Sequence, residues 1–426
     1  MHVVVIGAGL LGVSSAYYLR RHGVDVTVLD SESGPALGAS YGNGGYVQAS
    51  VADPWNAPGA FGLFARAWMA GLGRNSDSSA FIARTKALPG LFGWGLRFLR
   101  SANAATYLHH THLNSHLARY SLKSLAEIET DEQIQYSQSD TGGLIIFRDA
   151  QSFEAYRKLA EQVCGEEVAC EFLDRGALMR KEPSLQGIED NLVGAVHFAD
   201  DYSGNSREFC EQLAAATANR GAEFVFNADV TDIKAIASGV QVSTGAAEYR
   251  ADAVLSAAGV RSKKLAKSLG IDLPIAPAKG YSISIPMREW SNRPRHMIAD
   301  MGVHAGVNPL GDVLRVAGTA EFAGLQTGVS PGRVDYLLSI TRQIFPEFAE
   351  TVDRKEIEAW AGLRPLSADG LPMLGSTPVK NVYLNTGHGG IGWTQAAGSG
   401  KAIAEHITGQ DGRFSISDYS IGRFDG

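Results

Sequence analysis

The chain begins with a hydrophobic pattern that predicts three elements in a row. Residues 3–6 are continuously apolar, which predicts a strand buried on both faces. A glycine-rich turn follows, and then residues 13–22 carry apolar side chains at helical spacing. A second strand is predicted at residues 24–29, immediately before Asp30. Together these segments predict a β-turn-α-β unit.

The turn fits the G-x-G-x-x-G dinucleotide fingerprint with Gly7, Ala8, Gly9, Leu10, Leu11 and Gly12. We expect Gly7 to permit the tight turn, Gly9 to let backbone amides approach a pyrophosphate, and Gly12 to let the helix pack closely on the strand. The helix N-terminus then faces the phosphates, and Asp30 accepts the ribose hydroxyls. The alternative is a tight connection without a ligand, with Asp30 solvated.

The pattern of the remaining chain predicts a Rossmann-like domain and a second α+β domain. Strands are predicted at 223–230, 240–244, 248–250, 253–256 and 382–384, and helices at 207–220 and 394–407. These place the nucleotide-binding domain in residues 1–53, 201–273 and 355–426. Residues 54–200 and 274–354, with strands such as 143–147 and 281–285, are expected to form a mainly antiparallel sheet for the substrate. Ligand chemistry is expected at the junction.

Composition narrows the functional class. The 426 residues are 45% hydrophobic and 19% charged, as in an ordinary folded protein. The net charge of −7 argues against nucleic acid as a partner. Cys164, Cys170 and Cys210 lack Cys-x-x-Cys spacing, which favours neither a disulfide framework nor a zinc site and suits a cytoplasmic protein. No apolar run is long enough to predict a transmembrane helix.

A metal site is not predicted. His109, His112 and His116 have spacings that place them along one side of a helix. Apolar residues beside them define a buried stripe, and no carboxylate completes a ligand set. We interpret the histidines as a half-exposed helix face.

Five motifs resemble the D-amino-acid oxidase superfamily of flavoproteins, and most closely its bacterial D-amino acid dehydrogenase branch. They are the fingerprint and the segments Gly38-Ala39-Ser40-Tyr41-Gly42-Asn43-Gly44-Gly45-Tyr46, Pro277-Ala278-Lys279-Gly280-Tyr281, Gly362-Leu363-Arg364-Pro365 with Asp369-Gly370-Leu371-Pro372, and Asn385-Thr386-Gly387-His388-Gly389-Gly390-Ile391-Gly392-Trp393-Thr394. The fingerprint alone does not choose between NAD and FAD. The resemblance implies FAD, and we expect it to be noncovalent because the cysteines lie outside the flavin-loop motifs.

Two glycine-rich segments are expected to hold the cofactor. In the first, Ser40 and Asn43 are expected near the pyrophosphate, and Gly44, Gly45 and Tyr46 against the ring; the alternative is a surface loop. The second segment is a glycine-rich turn that leads into a helix, and we expect the helix dipole to point at the pyrimidine end of the flavin. The turn contains Gly387, Gly389, Gly390 and Gly392, and the helix begins at Trp393 and Thr394. The resemblance also implies contacts from Val230, Ala258 and Gly259, although Val230 would look the same as a core residue.

Arg364 is the candidate for binding the substrate. A carboxylate is best held by the planar guanidinium fork, and in related glycine and D-amino acid oxidases this arginine has that role. The alternative is a structural arginine paired with an acid. The resemblance places Tyr281 in the substrate pocket, and Tyr46 and His388 are further candidates, with packing roles as the alternative.

The sequence and the resemblance therefore predict an FAD-dependent dehydrogenase or oxidase of a small free amino acid. The leading interpretation is a D-amino acid, with D-proline and hydroxyproline included. Hydride transfer from the α-carbon to the flavin gives an imine and then a 2-oxo acid plus ammonia. A glycine- or sarcosine-type oxidase, an NAD-dependent hydroxy acid dehydrogenase and a noncatalytic flavin protein are alternatives.

The electron acceptor is left open between oxygen and a membrane quinone. Residues 61–68 and 88–100 combine aromatic side chains with Arg66, Arg97 and Arg100, which suits peripheral contact with the cytoplasmic membrane. Packing in the core is the alternative, and we expect Pro89, Gly90 and Gly93 to interrupt any long helix there.

Overall fold

The computed structural model describes residues 1–72, 79–163, 169–410, 412 and 414–425. Cys164 and the side chains of Phe61 and Phe64 lie outside this part of the chain. Cys170 and Cys210 are free thiols.

The described residues contain strands that form four sheets. The strands are β1 His2–Ile6, β2 Asp25–Leu29, β3 Tyr46–Val47, β4 Phe81–Ala83, β5 Gln138–Ser139, β6 Gly143–Phe147, β7 Cys170–Asp174, β8 Gly194–Phe198, β9 Tyr202–Gly204, β10 Glu223–Val225, β11 Val230–Ile236, β12 Gly239–Thr244, β13 Glu248–Ala251, β14 Ala253–Ser256, β15 Ile275–Pro286, β16 Met297–Asp300, β17 Ala305–Leu310, β18 Val313–Phe322, β19 Glu358–Ser367, β20 Met373–Ser376 and β21 Val382–Thr386.

Helices cover the sheets and connect them. They are α1 Leu10–Arg21, α2 Ala60–Leu72, α3 Leu88–Ser101, α4 Ala104–Glu132, α5 Ala150–Val163, α6 Arg175–Lys181, α7 Ser206–Asn219, α8 Ser262–Ser268, α9 Pro331–Ile344, α10 Pro346–Glu350 and α11 Gly392–Thr408. Short 3-10 segments lie at Thr85–Ala87, Pro183–Asn191, Gly259–Arg261, Arg354–Glu356, Ser417–Tyr419 and Ile421–Phe424.

The first sheet is the predicted Rossmann-like unit. Its six strands have the order β10-β2-β1-β14-β21-β20. All neighbours are parallel except β20, which runs antiparallel to β21. Apolar side chains of β1 and β14 pack with those of α1, α7 and α11 in one core. The strands of this sheet come from residues 2–29, 223–256 and 373–386.

The second large sheet has nine strands and is mainly antiparallel, as predicted. Its order is β19-β15-β18-β17-β16-β6-β8-β7, with β4 added in parallel to β18. The pair β16–β6 is also parallel. Two three-stranded sheets, β11-β12-β13 and β3-β9-β5, complete the set.

The predicted domain boundary at residue 355 falls too early. Strand β19 pairs with β15 from Glu358 to Ser367, so these residues belong to the nine-stranded sheet. The chain returns to the first sheet only at β20. The sheet to which β19 belongs is determined by its antiparallel partner β15, and the local sequence pattern of β19 does not show which strand it pairs with.

The predicted strand at 223–230 is two strands. Strand β10 ends at Val225, and β11 begins at Val230. Between them Asn227 adopts φ +56°, and the amide of Ala228 donates to the carbonyl of Asp30 at 2.7 Å. This hydrogen bond replaces the sheet ladder and turns the chain.

The predicted interruption near Pro89 is also wrong. Helix α3 runs without a break from Leu88 to Ser101. Pro89 lies in the first turn, where its missing N–H has no helical acceptor to lose, and Gly90 and Gly93 lie inside the helix.

Candidate functional site

The fingerprint turn, Gly7–Gly12, has the geometry that its sequence predicts. Gly7 has φ +109°, and a Cβ there would lie 2.6 Å from the carbonyl oxygen of Ala257. A Cβ on Gly12 would overlap the carbonyl oxygen of Gly7. Both positions therefore require glycine, one for backbone conformation and one for the close approach of α1 to the turn.

Asp30 lies beside the fingerprint turn. Its carboxylate accepts the amide of Ala8 at 2.5 Å and the amide of Glu32 at 2.8 Å. The 228–230 segment lies against the Asp30 carbonyl, which brings Val230 to the same end of the turn. Asp30 and Val230 are thus close to each other and to the first turn of α1.

Ser40 also reaches the start of α1. Its hydroxyl accepts the amide of Leu10 at 3.2 Å, and its backbone carbonyl accepts the Ser206 hydroxyl at 2.7 Å. Ala258 and Gly259 complete this region at the end of β14, where the Gly259 carbonyl accepts the hydroxyl of Thr386 at 3.1 Å.

Three side chains of the nine-stranded sheet hold consecutive carbonyls of the 38–46 loop. Ser282 donates to the carbonyl of Gly42 at 2.7 Å. Arg315 donates to that of Asn43 at 2.9 Å, and Asn308 donates to that of Gly44 at 3.1 Å. We call Ser282, Arg315 and Asn308 the carbonyl clamp. The Asn43 side chain closes the loop by accepting the amide of Gly45 at 2.9 Å.

Tyr46 follows the clamp. Its ring lies against Gly306, and its buried hydroxyl has no hydrogen-bond partner among the residues that the structure describes. Burial raises the pKa of this hydroxyl. Its backbone carbonyl accepts the hydroxyl of Thr394 at 3.4 Å, which joins the 38–46 loop to α11.

The C-terminal glycine turn, Gly387–Gly392, leads directly into α11. Gly387 and Gly389 have φ values of +85° and +57°. The first turn of α11 has neither a side-chain cap nor an acidic residue, so its free amides and dipole are available to an anionic group. Thr394 of this turn contacts the Tyr46 end of the 38–46 loop. The side chain of Trp393 points the other way, since its indole donates to the carbonyl of Gly204 at 3.1 Å inside the core. Trp393 can therefore offer a cofactor only its backbone.

Arg364 has a charge that no described acid neutralises. Its guanidinium lies over Gly280, donates to the carbonyl of Thr319 at 3.0 Å and lies 5.8 Å from the ring centre of Trp55. Burial alone lowers the pKa of Arg364 to about 10, and no described carboxylate opposes that change. The structural alternative, an arginine paired with an acid, is not what the described residues form.

The carbonyl that Arg364 contacts belongs to an unusual residue. Thr319 has φ +66°, which is strained for a β-branched side chain, and it lies where the pairing of β15 and β18 shifts register. Strain of this kind persists only where surrounding structure enforces it. Here it turns a carbonyl toward Arg364.

His388 is enclosed and has free hydrogen-bonding capacity. It is 3% exposed, and neither ring nitrogen has a partner within the described chain. Burial lowers its pKa to about 3, so the imidazole is neutral. It lines a small cavity together with Trp55, Phe98, Asn114 and Leu366.

The expectation that Tyr281 lines the substrate pocket is wrong. Its neighbour Gly280 faces Arg364, and successive strand residues face opposite sides of a sheet. The Tyr281 hydroxyl donates to Glu321 at 2.6 Å, and Lys279 lies 3.4 Å from the same carboxylate. Tyr281 is therefore part of a buried polar cluster behind the strand.

Sequence reasoning missed Trp55, Thr319 and the carbonyl clamp. Trp55 lies in an irregular segment with no motif, and Thr319 is marked only by its backbone conformation. A signal did exist for Arg315, because it is a charged residue between the apolar residues Leu314 and Val316 of strand β18. Its partner, however, is fixed by long-range packing.

Comparison with known proteins agrees with this arrangement. The family of FAD dependent oxidoreductases, abbreviated DAO, matches residues 2–406. A D-amino acid dehydrogenase of Paramagnetospirillum magneticum is 36% identical over 425 residues, covering 100% of this chain and 99% of that protein. One of Vibrio atlanticus is 30% identical, with both chains covered completely.

Solved structures share the fold. Glycine oxidase from Geobacillus kaustophilus has a TM-score of 0.75 at 20% identity, covering 99% of this chain and 98% of that one. L-proline dehydrogenase from P. horikoshii has a TM-score of 0.76 at 16% identity, covering 100% and 97%.

The described residues fit FAD. The fingerprint turn leaves a side-chain-free approach to the start of α1, where the dipole favours a pyrophosphate. The uncapped start of α11 and the two free nitrogens of His388 lie at the other end of the 38–46 loop. Among the described residues no group of three or more His, Cys, Asp or Glu side chains is arranged to hold a metal ion.

Proposed function

Because this chain belongs to the family of FAD dependent oxidoreductases, we propose that it is a D-amino acid dehydrogenase that oxidises small free D-amino acids. D-Proline and hydroxyproline fall within the proposed substrate class. The product of a primary amino acid is an imine, which water hydrolyses to a 2-oxo acid and ammonia. The cyclic imine formed from a proline keeps its nitrogen in the chain when water opens the ring, so no ammonia is released. Full-length relatives of that name, 36% and 34% identical, support this assignment.

The observation that carries the proposal is the uncompensated charge of Arg364. A buried guanidinium without a carboxylate is costly, and a substrate carboxylate would supply the missing partner through two parallel hydrogen bonds. The Thr319 carbonyl and the Trp55 ring fix the guanidinium on two sides. The proposed site thus orients the α-carbon before reaction.

His388 is proposed to bind the substrate amine. A neutral imidazole accepts one hydrogen bond and donates one, so it can hold an amine without placing a second cation beside Arg364. It is too weak a base at a pKa of about 3 to remove a proton at neutral pH. Bound FAD supplies the chemistry by accepting the α-hydrogen as a hydride.

For the cofactor we propose noncovalent FAD, with contacts from the residues predicted from the sequence. Asp30 and Val230 would contact the adenosine half; the fingerprint turn, Ser40 and Asn43 the pyrophosphate; and Gly44, Gly45, Tyr46 and the C-terminal glycine turn the ring. Acid precipitation of the purified protein should release all of the flavin into the supernatant. Yellow precipitate after repeated washing would indicate a covalent link.

The test of function is anaerobic mixing of the flavin-loaded protein with D- and L-amino acids, N-methylglycine and both prolines. We expect bleaching of the flavin absorbance with small D-amino acids. The Arg364→Met variant should retain flavin and fail to bleach at the same concentrations. Bleaching by glycine or N-methylglycine alone, with fast reoxidation by oxygen, would identify an oxidase instead.

Peripheral membrane contact is proposed for α3. Phe92, Leu96 and Leu99 are 71%, 47% and 39% exposed and share one helix face, while Leu91, Trp94 and Phe98 are buried on the other. Exposed Arg100 lies beside the apolar face and suits anionic headgroups. No helix of the described residues meets the length and hydropathy needed to cross a membrane. A surface-bound enzyme of this kind would take its acceptor, a quinone, from the cytoplasmic side of the bilayer.

Flotation with anionic and neutral liposomes tests this contact. We expect binding to anionic vesicles, and its loss in a Phe92→Ser/Leu96→Ser double variant. Met301→Ser, at a residue that is 40% exposed and lies outside α3, is the matched control. Equal recovery of wild type and double variant with the vesicles, or no recovery at low salt, would contradict the proposal.

A further inference from the structure

The small cavity that His388 lines is also lined by Leu366, which lies two residues after Arg364 in β19. Residues i and i+2 of a strand face the same side, about 6.6 Å apart. Leu366 therefore shares a face with Arg364 and forms a bridge with His388 of the C-terminal glycine turn. The α-carbon of a ligand whose carboxylate is held by Arg364 would therefore lie within reach of this cavity.

The walls of this cavity include polar side chains that already have partners, since Asp53, Asn114 and Ser367 are hydrogen-bonded to Tyr107, Gly370 and Asp369, and His388, which has none within the described chain. The rest of the lining is apolar or backbone. Trp55, Phe98 and Leu366 contribute side chains, and Gly389 and Gly390 contribute backbone. Its volume is about 30 Å³. Because one water needs roughly 10–15 Å³ on the same measure, the cavity has room for about two heavy atoms.

Trp55 is the wall that limits the cavity toward Arg364. Its ring centre lies 5.8 Å from the Arg364 guanidinium carbon. On its other side the indole nitrogen lies 3.7 Å from the position of a Cβ on Gly390. Phe81 packs edge-on against the same ring at 6.2 Å. Trp55 therefore spans the space from the carboxylate-binding group to the C-terminal glycine turn.

We propose that this cavity is the subsite for the substrate side chain and that Trp55 sets the upper limit of side-chain size. The inference rests on the proposed function, since it takes Arg364 as the carboxylate anchor. It narrows the proposed substrate class to amino acids with apolar side chains of one or two heavy atoms, which leaves out D-proline and hydroxyproline. Longer side chains would meet the indole ring.

The experiment compares Trp55→Ala and Trp55→Phe with wild type on a series of D-alanine, D-2-aminobutyrate, D-norvaline and D-leucine. We expect kcat/KM of the wild type to fall along the series. In Trp55→Ala the ratio of D-leucine to D-alanine should rise by about tenfold or more, the usual range for one or more methylenes in a pocket. Trp55→Phe should lie between the two.

A binding series separates this inference from the proposed function. Propionate, butyrate and 4-methylpentanoate are titrated against the flavin absorbance, which requires no turnover. Trp55→Ala should gain affinity selectively for the longest acid. This result would support the subsite even if no amino acid bleached the flavin of the wild type.

Trp290→Phe is the matched control. Trp290 stacks on Phe348 at 4.1 Å in the core on the other side of the nine-stranded sheet, so its replacement should leave both series unchanged. The inference is overturned if Trp55→Ala retains flavin and carboxylate binding but shows the wild-type dependence on chain length. A uniform loss over all ligands, with the ratio unchanged, would overturn it as well.

Discussion

The Arg315 guanidinium donates a hydrogen bond of 2.9 Å to the backbone carbonyl of Asn43, across the junction of the nine-stranded sheet and the 38–46 loop. Arg315 is 8% exposed, and burial lowers its pKa. With Ser282 and Asn308 it binds three consecutive carbonyls, so the loop takes its shape from the other sheet.

Replacing Arg315 with Met should therefore weaken FAD binding. The loss of a charged hydrogen bond costs about 1.5–3 kcal/mol, equivalent to roughly a 10- to 150-fold rise in Kd if all of it is expressed in cofactor binding. Titration of apoprotein with FAD, followed by flavin fluorescence, measures the change. Lys355→Met, at an exposed lysine, controls for the loss of one positive charge. An unaltered Kd in the Arg315 variant would show that the loop holds its shape without the clamp.

Arg364→Lys tests the carboxylate anchor. Lysine keeps the charge but cannot make two parallel hydrogen bonds. The fall in kcat/KM should therefore correspond to a loss of about 2–4 kcal/mol of transition-state stabilisation. FAD content should stay the same because the guanidinium contacts Thr319 and Trp55 rather than the cofactor residues. Steady-state kinetics with an artificial acceptor give the number. Wild-type kinetics in this variant would show that Arg364 does not bind the substrate carboxylate.

Asp30 has a backbone partner as well as its proposed ribose partner, and two substitutions distinguish them. Asp30→Asn keeps one oxygen that can accept the Ala8 amide, whereas Asp30→Ala loses it. We expect weaker FAD retention in both, with the larger loss and a lower Tm in Asp30→Ala. Once refilled with FAD, either variant should be reduced by substrate at a nearly normal rate, because the proposed partner of Asp30 is the ribose, which is remote from the reacting ring. Slow reduction of refilled protein would contradict that assignment.

The buried His388 predicts a pH dependence of stability. Its pKa is about 3 in the folded protein and 6.5 in the reference state, so the unfolded chain binds an extra proton between these values. The free energy of unfolding is therefore unaffected by His388 above pH 6.5 and decreases as the pH falls from 6.5 toward 3, because the unfolded chain is protonated at this residue and the folded protein is not. Between pH 6 and pH 5 the loss is about 1 kcal/mol.

Urea unfolding of the apoprotein at pH 6 and pH 5 measures this loss. The non-titrating variant His388→Leu should lose about 1 kcal/mol less than wild type over the same interval. Other histidines with lowered pKa values, such as His22 and His197, contribute equally to both proteins and cancel. Identical pH slopes would place the His388 side chain in contact with water.

The sequence was sufficient for those parts of the fold that local pattern determines. The unit from β1 to Asp30 and the hairpin β12–β13 follow from apolar periodicity and turn chemistry. The break between β10 and β11 does not, because it depends on carbonyl groups of Asp30 and Glu32 nearly 200 residues earlier.

At the site, the sequence motifs predicted which segments lie near the ligand, but they did not predict the directions in which the side chains point. Arg364 and Tyr281 come from neighbouring motifs, yet pleating of the paired strands β19 and β15 turns them to opposite faces. Trp55 carries no motif and is brought to Arg364 only by tertiary packing. Such relationships are set by strand register and long-range contacts.

The strand order of the six-stranded sheet has a consequence for biosynthesis. Strand β1 is made first, but its neighbour β14 lies 250 residues later, and β14 in turn pairs with β21 at Val382–Thr386. Contacts so distant in sequence close slowly and leave strand edges unpaired until both partners exist. On the ribosome, about 220 further residues must be made after β2 before β14 is available, and synthesis proceeds at roughly 5–20 residues per second. The nascent chain thus has an exposed parallel edge for tens of seconds, and this interval is where chaperone dependence and aggregation during expression should originate.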